Sequence, residues 1–245
     1  KALSFLSKLG NNTWMSLGDK DLGLHIYRTD RLRRGDRASD ITKDIAEAFG
    51  VTPHIILPTD DIVQTKVLTD QGWLTFQEYF VKERCNPVVK EIVFDGLHVA
   101  KPTHEALEAI AIADIILIAP SNPFVSISPI LNIPGILDAL KECDAIKLAV
   151  SPLINGKAIK GPAEKIMISL GLRADSMGVA NFYKDLIDGI IIDSSDAELA
   201  PEIKSLGMQV FCTNILMSNN SEKRRLAGEI LDIAKNNNFP NEVNA

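Results

Sequence analysis

Two stretches gather the residue types that hold phosphate, and each follows an apolar run. Residues 119–128, APSNPFVSIS, come after DIILI, and 151–165, SPLINGKAIKGPAEK, come after AIKLAV. The first offers Ser121, Asn122, Pro123 and Ser126; its prolines stiffen the chain and deny it ladder hydrogen bonds, so hydroxyls and backbone N–H groups are left to face a ligand. The second offers Ser151, Pro152, Asn155, Gly156, Lys157, Lys160 and Gly161. Glycine permits close backbone approach, lysine supplies charge, and a following helix N-terminus favours anions. A third stretch, SLGDKDLGLHIYR (16–28), places Asp19 and Asp21 before a helix that carries His25 and Arg28. The two carboxylates either cap that helix or hold Mg²⁺ against a phosphate. Together the three stretches imply a ligand that bears a diphosphate, a nucleotide or sugar nucleotide, and do not name a reaction.

These residues need a scaffold that brings them to one edge. From residue 100 onward short β-branched runs alternate with helical patterns: strands at 114–119, 145–151, 188–193 and 208–213 between helices after Thr103, Pro134, Pro162, near 178–186, at PEIKSLG and at 221–236. That alternation predicts βαβ units and an α/β fold, a Rossmann-like, largely parallel sheet with helices on both faces. Ligands of such sheets bind beyond the carboxyl ends of the strands, where the two phosphate-type stretches fall. The first hundred residues are mixed. Helices are expected at 2–9, 21–32 and 40–49, the last capped by Ser39 or Asp40, and HIILP, QTKVLTD, GWLTFQEYFV and VVKEIVFDG read as strands. The expected division is 1–59 as part of the α/β core, 60–100 as a smaller inserted α+β, β-rich subdomain, and 101–245 as the nucleotide-binding core. The tail NNNFPNEVNA reads as frayed.

Composition narrows the class. With 245 residues, 46% apolar and 24% charged, the chain can bury a large core. A net charge of −6 argues against nucleic-acid binding. No window is apolar enough to span a bilayer, and no signal peptide is expected. Three scattered cysteines fit reduced thiols in a cytoplasm. The run RTDRLRRGDR holds Arg28, Arg31, Arg33, Arg34 and Arg37 and reads either as a solvated helix end or as an anion site. Asp60, Asp61, Asp193 and Asp196 read as solvated loop ends. His54, His98 and His104 lack zinc spacing, and GxGxxG, GxxxxGK[ST] and GxSxG patterns are absent.

The segments TWMSLGDKDLGLHIYRTDRL, ILPTDDIVQTKVLTDQGWLTFQEYFV, IAPSNPFVSISPILNIPGI, AVSPLINGKAIKGPAEKIM and SMGVANFYKDLIDGIIID, in this order over residues 5–217, resemble the 2-phospho-L-lactate transferase family. The resemblance implies an enzyme of coenzyme F(420) biosynthesis. It would move a phospholactyl, phosphoenolpyruvyl or phosphoglyceryl group from a guanosine diphosphate-linked donor to the deazaflavin Fo, releasing GMP, with Mg²⁺ and as a homodimer. It implies that the Ser121–Ser126 and Ser151–Gly161 stretches hold the guanosine diphosphate part, and that Asp19, Asp21, His25 and Arg28 lie near the transferring phosphate, with Asp19 or Asp21 as possible metal ligands. Lys1 aligns inside the family pattern, past a strand and glycine-rich loop; a chain that truly began there is expected to show no turnover. Asn214 stands where the family tends to have Asp. A related family of sugar-nucleotide-binding regulators shares the Pro- and Ser-rich segment, so a uridine diphosphate sugar sensor without catalysis is the competing reading.

Overall fold

The computed structural model describes residues 2–10 and 13–236; the tail from residue 237, expected to fray, lies outside the described residues. The chain opens with helices α1 (Ala2–Lys8), α2 (Asp19–Arg33) and α3 (Ala38–Ala48). Ser39 and Asp40 do not cap α3: its N-cap is Arg37, without a side-chain cap. Ser39 instead gives both its N–H and its hydroxyl to Asp60 at 2.7 Å. Arg37 reaches the same carboxylate at 2.9 Å and holds Glu105 at 3.0 and 3.1 Å, which ties α3 to the body of the protein. Arg31 bonds Asp36 and Asp44, and Arg34 pairs with Asp30. Of the five clustered arginines, three are thus taken up in ion pairs. Among the described residues Arg28 and Arg33 have none, so the anion-site reading narrows to them.

A three-stranded antiparallel sheet follows, β1 (Gln64–Thr69), β2 (Gly72–Thr75) and β3 (Val89–Asp95), in the order β2-β1-β3. Val67 faces Leu74 and Ile92 across the two ladders, and these residues form its inner face. HIILP is not a strand. The carbonyls of Leu57 and Pro58 are taken by Thr103, and pairing is limited to one bridge, Thr59 with Pro102. GWLTFQEYFV is strand only to Thr75. There Thr75 Oγ1 accepts from the Glu78 N–H (3.2 Å) while Glu78 accepts from the Thr75 N–H (2.9 Å). This reciprocal capping box turns the chain into a helical segment that ends in a π turn, Glu78–Lys82.

The remainder alternates: α4 (His104–Ala111), β4 (Ile115–Ile118), a π turn (Pro123–Ile127), α5 (Ser128–Leu131), α6 (Ile136–Glu142), β5 (Ile146–Val150), the short strands β6 (Leu153–Ile154) and β7 (Lys157–Ala158), α7 (Ala163–Ser169), α8 (Ser176–Phe182), β8 (Gly189–Asp193), α9 (Ala200–Lys204), β9 (Gln209–Thr213) and α10 (Asn220–Asn236). Thr103 caps α4, accepting from the Ala106 N–H at 3.1 Å, as the spacing predicts. Pro134 does not open α6; Gly135, in the left-handed region, is its N-cap. Strands β4, β5, β8 and β9 pair in that order, all parallel, so their carboxyl ends share one edge. Their side chains alternate between two cores. Ala149, Ile190 and Ile192 pack with α6, α7, α8 and α9, whereas Leu148, Val150 and Ile191 pack with Leu226 and Ile230 of α10. Each fully buried isoleucine contributes roughly 1.5–3 kcal/mol. The antiparallel sheet shares a third cluster with these elements, in which Val67, Tyr79 and Val89 meet Val125 and Ile166. Among the described residues no single helix is long and apolar enough to cross a membrane.

Gly178, in the first turn of α8, shows how closely the helix seats: a Cβ there would lie 1.8 Å from the Arg173 carbonyl oxygen and 2.8 Å from Met167 Cε. Gly178→Ala is expected to cost about 2–4 kcal/mol, because backbone must move. Urea unfolding should show a lower midpoint with an unchanged slope.

Candidate functional site at the carboxyl edge of the parallel sheet

Strand β4 leaves the sheet at Pro120, and the stretch expected to be a stiff loop is helical. Asn122 is the N-cap of the π turn Pro123–Ile127, its side-chain oxygen accepting from the N–H groups of Phe124 (2.9 Å) and Val125 (3.4 Å). Pro123 occupies the first turn, where its missing N–H costs nothing. The two donors fix which way the amide faces, since a flipped side chain would set NH₂ against N–H. The Asn122 Nδ2 group is therefore directed away from the turn, and among the described residues it is buried without an acceptor. Ser121 is half-buried and Ser126 is exposed beside it. Tyr79, from the other π turn, packs in the same cluster as Val125. Its hydroxyl is the second buried side-chain polar group without a partner among the described residues. Burial, with Cys85 close by, pushes that hydroxyl up to about 12. π turns often mark functional positions, and here two of them meet.

The 151–161 stretch is built differently from the expectation. Ser151 is fully buried: its oxygen accepts from the Leu153 N–H (3.2 Å) and lies 3.1 Å from Ser176 Oγ, so its hydroxyl is committed inside the protein. Pro152 is half-buried beside it. Asn155 and Gly156, at φ +50° and +69°, form the two-residue turn of the β6–β7 hairpin, which accounts for this Asn-Gly pair by backbone conformation. Lys157, Lys160 and Gly161 are exposed on the hairpin and the chain that leads to α7. The Ala158 N–H donates to Glu164 of α7 and fixes the second hairpin strand.

Asp193 and Asp196, expected to be solvated, are 8% and 5% exposed. Asp193 ends β8 at the same edge; its carboxylate accepts from the Ser195 N–H and hydroxyl (3.0 and 2.7 Å) and from the Ile215 N–H (3.2 Å). Burial alone would raise its pKa, but these three donors outweigh burial and hold it below the ordinary range. Asp196 accepts from Ser176 Oγ and from the Asn155 N–H, both at 3.1 Å, and burial raises it above the ordinary range in spite of those bonds. No spacing rule links these residues; Ser151, Ser176 and Asp196 meet only through the fold.

Asp19 and Asp21 lie in the first turn of α2, where negative charge is favourable, and Asp21 accepts from the Gly18 N–H at 3.2 Å. His25 and Arg28 are exposed on the same helix. Among the described residues no hydrogen bond or ion pair joins Asp19, Asp21, His25 or Arg28 to the two carboxyl-edge stretches. No group of three or more His, Cys, Asp or Glu side chains is placed to hold a metal ion, again among the described residues. Asn214, after β9, turns its side-chain oxygen to the Leu216 N–H at 3.0 Å.

A parallel sheet whose carboxyl edge carries a directed amide, exposed lysines and a buried pair of carboxylates defines the α/β class of the protein. The family model described as 2-phospho-L-lactate transferase CofD matches residues 3–217, and the chain belongs to this family, which makes it an enzyme of the transferase class. The 2-phospho-L-lactate transferase of Methanocaldococcus jannaschii is 36% identical over 231 residues, 93% of this chain and 73% of that one. The phosphoenolpyruvate transferase of Streptomyces coelicolor is 32% identical over 227 residues, 91% of this chain and 71% of that one. Among solved structures, a UPF0052-family protein of Bacillus halodurans superimposes with a TM-score of 0.57 at 19% identity, covering 89% of this chain and 73% of its own. A second structure of a Bacillus halodurans protein gives 0.60, with 90% and 74% covered. These structures share the fold.

A depressed folded-state pKa stabilises the protein above the unfolded value, and the contribution is lost as pH falls through the folded one. Asp193→Asn is therefore expected to lower stability by about 1–3 kcal/mol at pH 7, since its NH₂ must face an N–H donor. Thermal unfolding should show the gap to the parent protein closing in acid, where Asp193 takes up its own proton.

Proposed function

We propose that the protein transfers a phospholactyl, phosphoenolpyruvyl or phosphoglyceryl group from a guanosine diphosphate-linked donor to the terminal ribityl hydroxyl of the deazaflavin Fo, in coenzyme F(420) biosynthesis. The observation that carries this reading is the buried, acceptor-less Nδ2 of Asn122 at the carboxyl end of β4. A donor group held in that state calls for an oxygen from outside the protein, and a phosphoryl oxygen of a bound donor would meet it. Family membership supplies the class of ligand. In the proposed transfer the acceptor oxygen attacks the phosphorus that carries the organic acid. The bond from that phosphorus to the bridging oxygen breaks, GMP leaves with the bridging oxygen, and the hydroxyl proton passes to a base or water. The protein's share is positioning and charge stabilisation. Asn122 Nδ2 donates to a phosphoryl oxygen, Ser121 and Ser126 stand on either side, and Lys157 and Lys160 offset the donor's negative charge.

Magnesium belongs to the proposal as a cation carried largely by phosphate oxygens, with Asp19 or Asp21 as its protein ligand. The described residues do not form a metal site by themselves, so no step is assigned to it. A homodimer in the cytoplasm is also part of the reading; the three cysteines are free thiols, which supports a reducing compartment.

The test is turnover by the complete protein with Fo, Mg²⁺ and each guanylated donor, with mass spectrometry for the phosphodiester and GMP. Asn122→Asp keeps the capping oxygen and replaces the NH₂ donor with an acceptor. It is expected to leave the thermal midpoint within about 3 °C and to lower kcat/KM by roughly 10–100-fold, the worth of a hydrogen bond to a charged group. Parent-level turnover in that variant would remove Asn122 from the site. No product with any donor, together with tight binding of a uridine diphosphate sugar, would establish the regulator reading instead.

A further inference from the structure

We propose that Asp196 is a positioning residue for the donor site: as the terminal hydrogen-bond acceptor of a buried serine chain, it fixes the hairpin that presents Lys157 and Lys160. This rests on the reading that those lysines face the donor diphosphate. The direction of the bond to Asp196 follows from chemistry: an ionised carboxylate only accepts, so Ser176 donates its hydroxyl to Asp196 Oδ2. With that proton used, Ser176 Oγ can only accept from Ser151, 3.1 Å away, whose hydroxyl also has the Leu153 carbonyl at 3.3 Å. Ser151 Oγ accepts from the Leu153 N–H. Asp196 Oδ1 accepts directly from the Asn155 N–H at 3.1 Å. Strand β6 is therefore held at Leu153, and the turn at Asn155, by one carboxylate just past the carboxyl end of β8. Among the described residues, the other side-chain tie on the hairpin is Ala158 to Glu164.

The arrangement is not optimised for stability. Asp196 is 5% exposed and, among the described residues, has no ion pair. The charged groups facing it, Asp193 at the end of β8 and Asp175 before α8, carry its own sign, and Asp175 is itself tied to Arg173. The folded protein holds the Asp196 proton more tightly than the unfolded chain does. The cost of the carboxylate is thus absent below the unfolded pKa and grows as pH rises through the raised folded value. An asparagine there could still accept from Asn155. Its NH₂ would reverse the serine chain, with Ser151 turning its proton to the Leu153 carbonyl 3.3 Å away.

The experiment is calorimetric titration of the complete protein with GDP, alongside thermal unfolding at pH 7 and in acid. Asp196→Ala removes the anchor and is expected to weaken GDP by about tenfold or more, the equivalent of roughly 1.4 kcal/mol. Asp196→Asn is expected to bind within about threefold of the parent while its thermal midpoint rises by about 2 °C or more at pH 7, a gain that disappears in acid. Should Asp196→Ala not fold, Ser176→Ala cuts the serine link alone and is expected to weaken GDP by about threefold. Parent-level affinity in Asp196→Ala, or in Ser176→Ala where that variant stands in, overturns the proposal. So does Asp196→Asn binding as weakly as Asp196→Ala, which would assign the effect to charge and not to position. No GDP binding by the parent protein removes both this inference and the reading beneath it, whereas a parent that binds beside an unaffected Asp196→Ala leaves that reading intact.

Discussion

Both faces of the parallel sheet are packed, so its polar groups are gathered at the ends of its strands. Ile190, Ile191 and Ile192 are completely buried, two toward one core and one toward the other. Water therefore meets this part of the chain chiefly at the strand ends. There the protein meets its hydrogen-bonding needs almost completely: Asn122 takes two N–H groups, Ser151 takes one, Asp193 takes three donors and Asp196 two. Against that background the unmet donor on Asn122 stands out.

The two buried carboxylates show how one edge does different work with the same side chain. Asp193 collects enough donors to favour its charge and acts as a structural brace between β8 and the chain after β9. Asp196 sits three residues on, collects fewer, and faces like charge, so its ionised form is held at a cost. Its two bonds reach Ser176 and the Asn155 turn of the lysine-bearing hairpin, so the costly group is also the one that ties that hairpin down.

Much of this architecture was legible from local pattern. DGIIID has the uninterrupted apolar run of a strand covered on both faces, Thr103 stands at the start of a periodic helix, and of the α10 stripe Leu226, Ile230, Ile233 and Ala234 all but the half-buried Ile233 are buried. Part of what was missed was also local. T-F-Q-E at 75–78 is a capping box, yet the aromatic and β-branched residues on either side read as strand. Asn155–Gly156 is a hairpin turn, yet next to lysines it read as a phosphate loop. The rest was out of reach. Ser151 finds Ser176 twenty-five residues later, and Asp196 reaches back forty-one residues to Asn155, so no window of sequence shows that these groups are buried together. The prolines of 119–129 announced a stiff segment; that it winds as a π turn whose Val125 packs against Val67, Tyr79 and Val89 is a tertiary fact that no local pattern shows. The reaction itself came from resemblance and family membership, not from residue pattern.

The most direct measurement is a crystal structure of the complete protein with GDP. The account predicts the diphosphate at the carboxyl ends of β4 and β5, with a phosphoryl oxygen within hydrogen-bonding distance, about 2.7–3.2 Å, of Asn122 Nδ2. GDP seated elsewhere, with the Asn122 amide still lacking an acceptor, would contradict it.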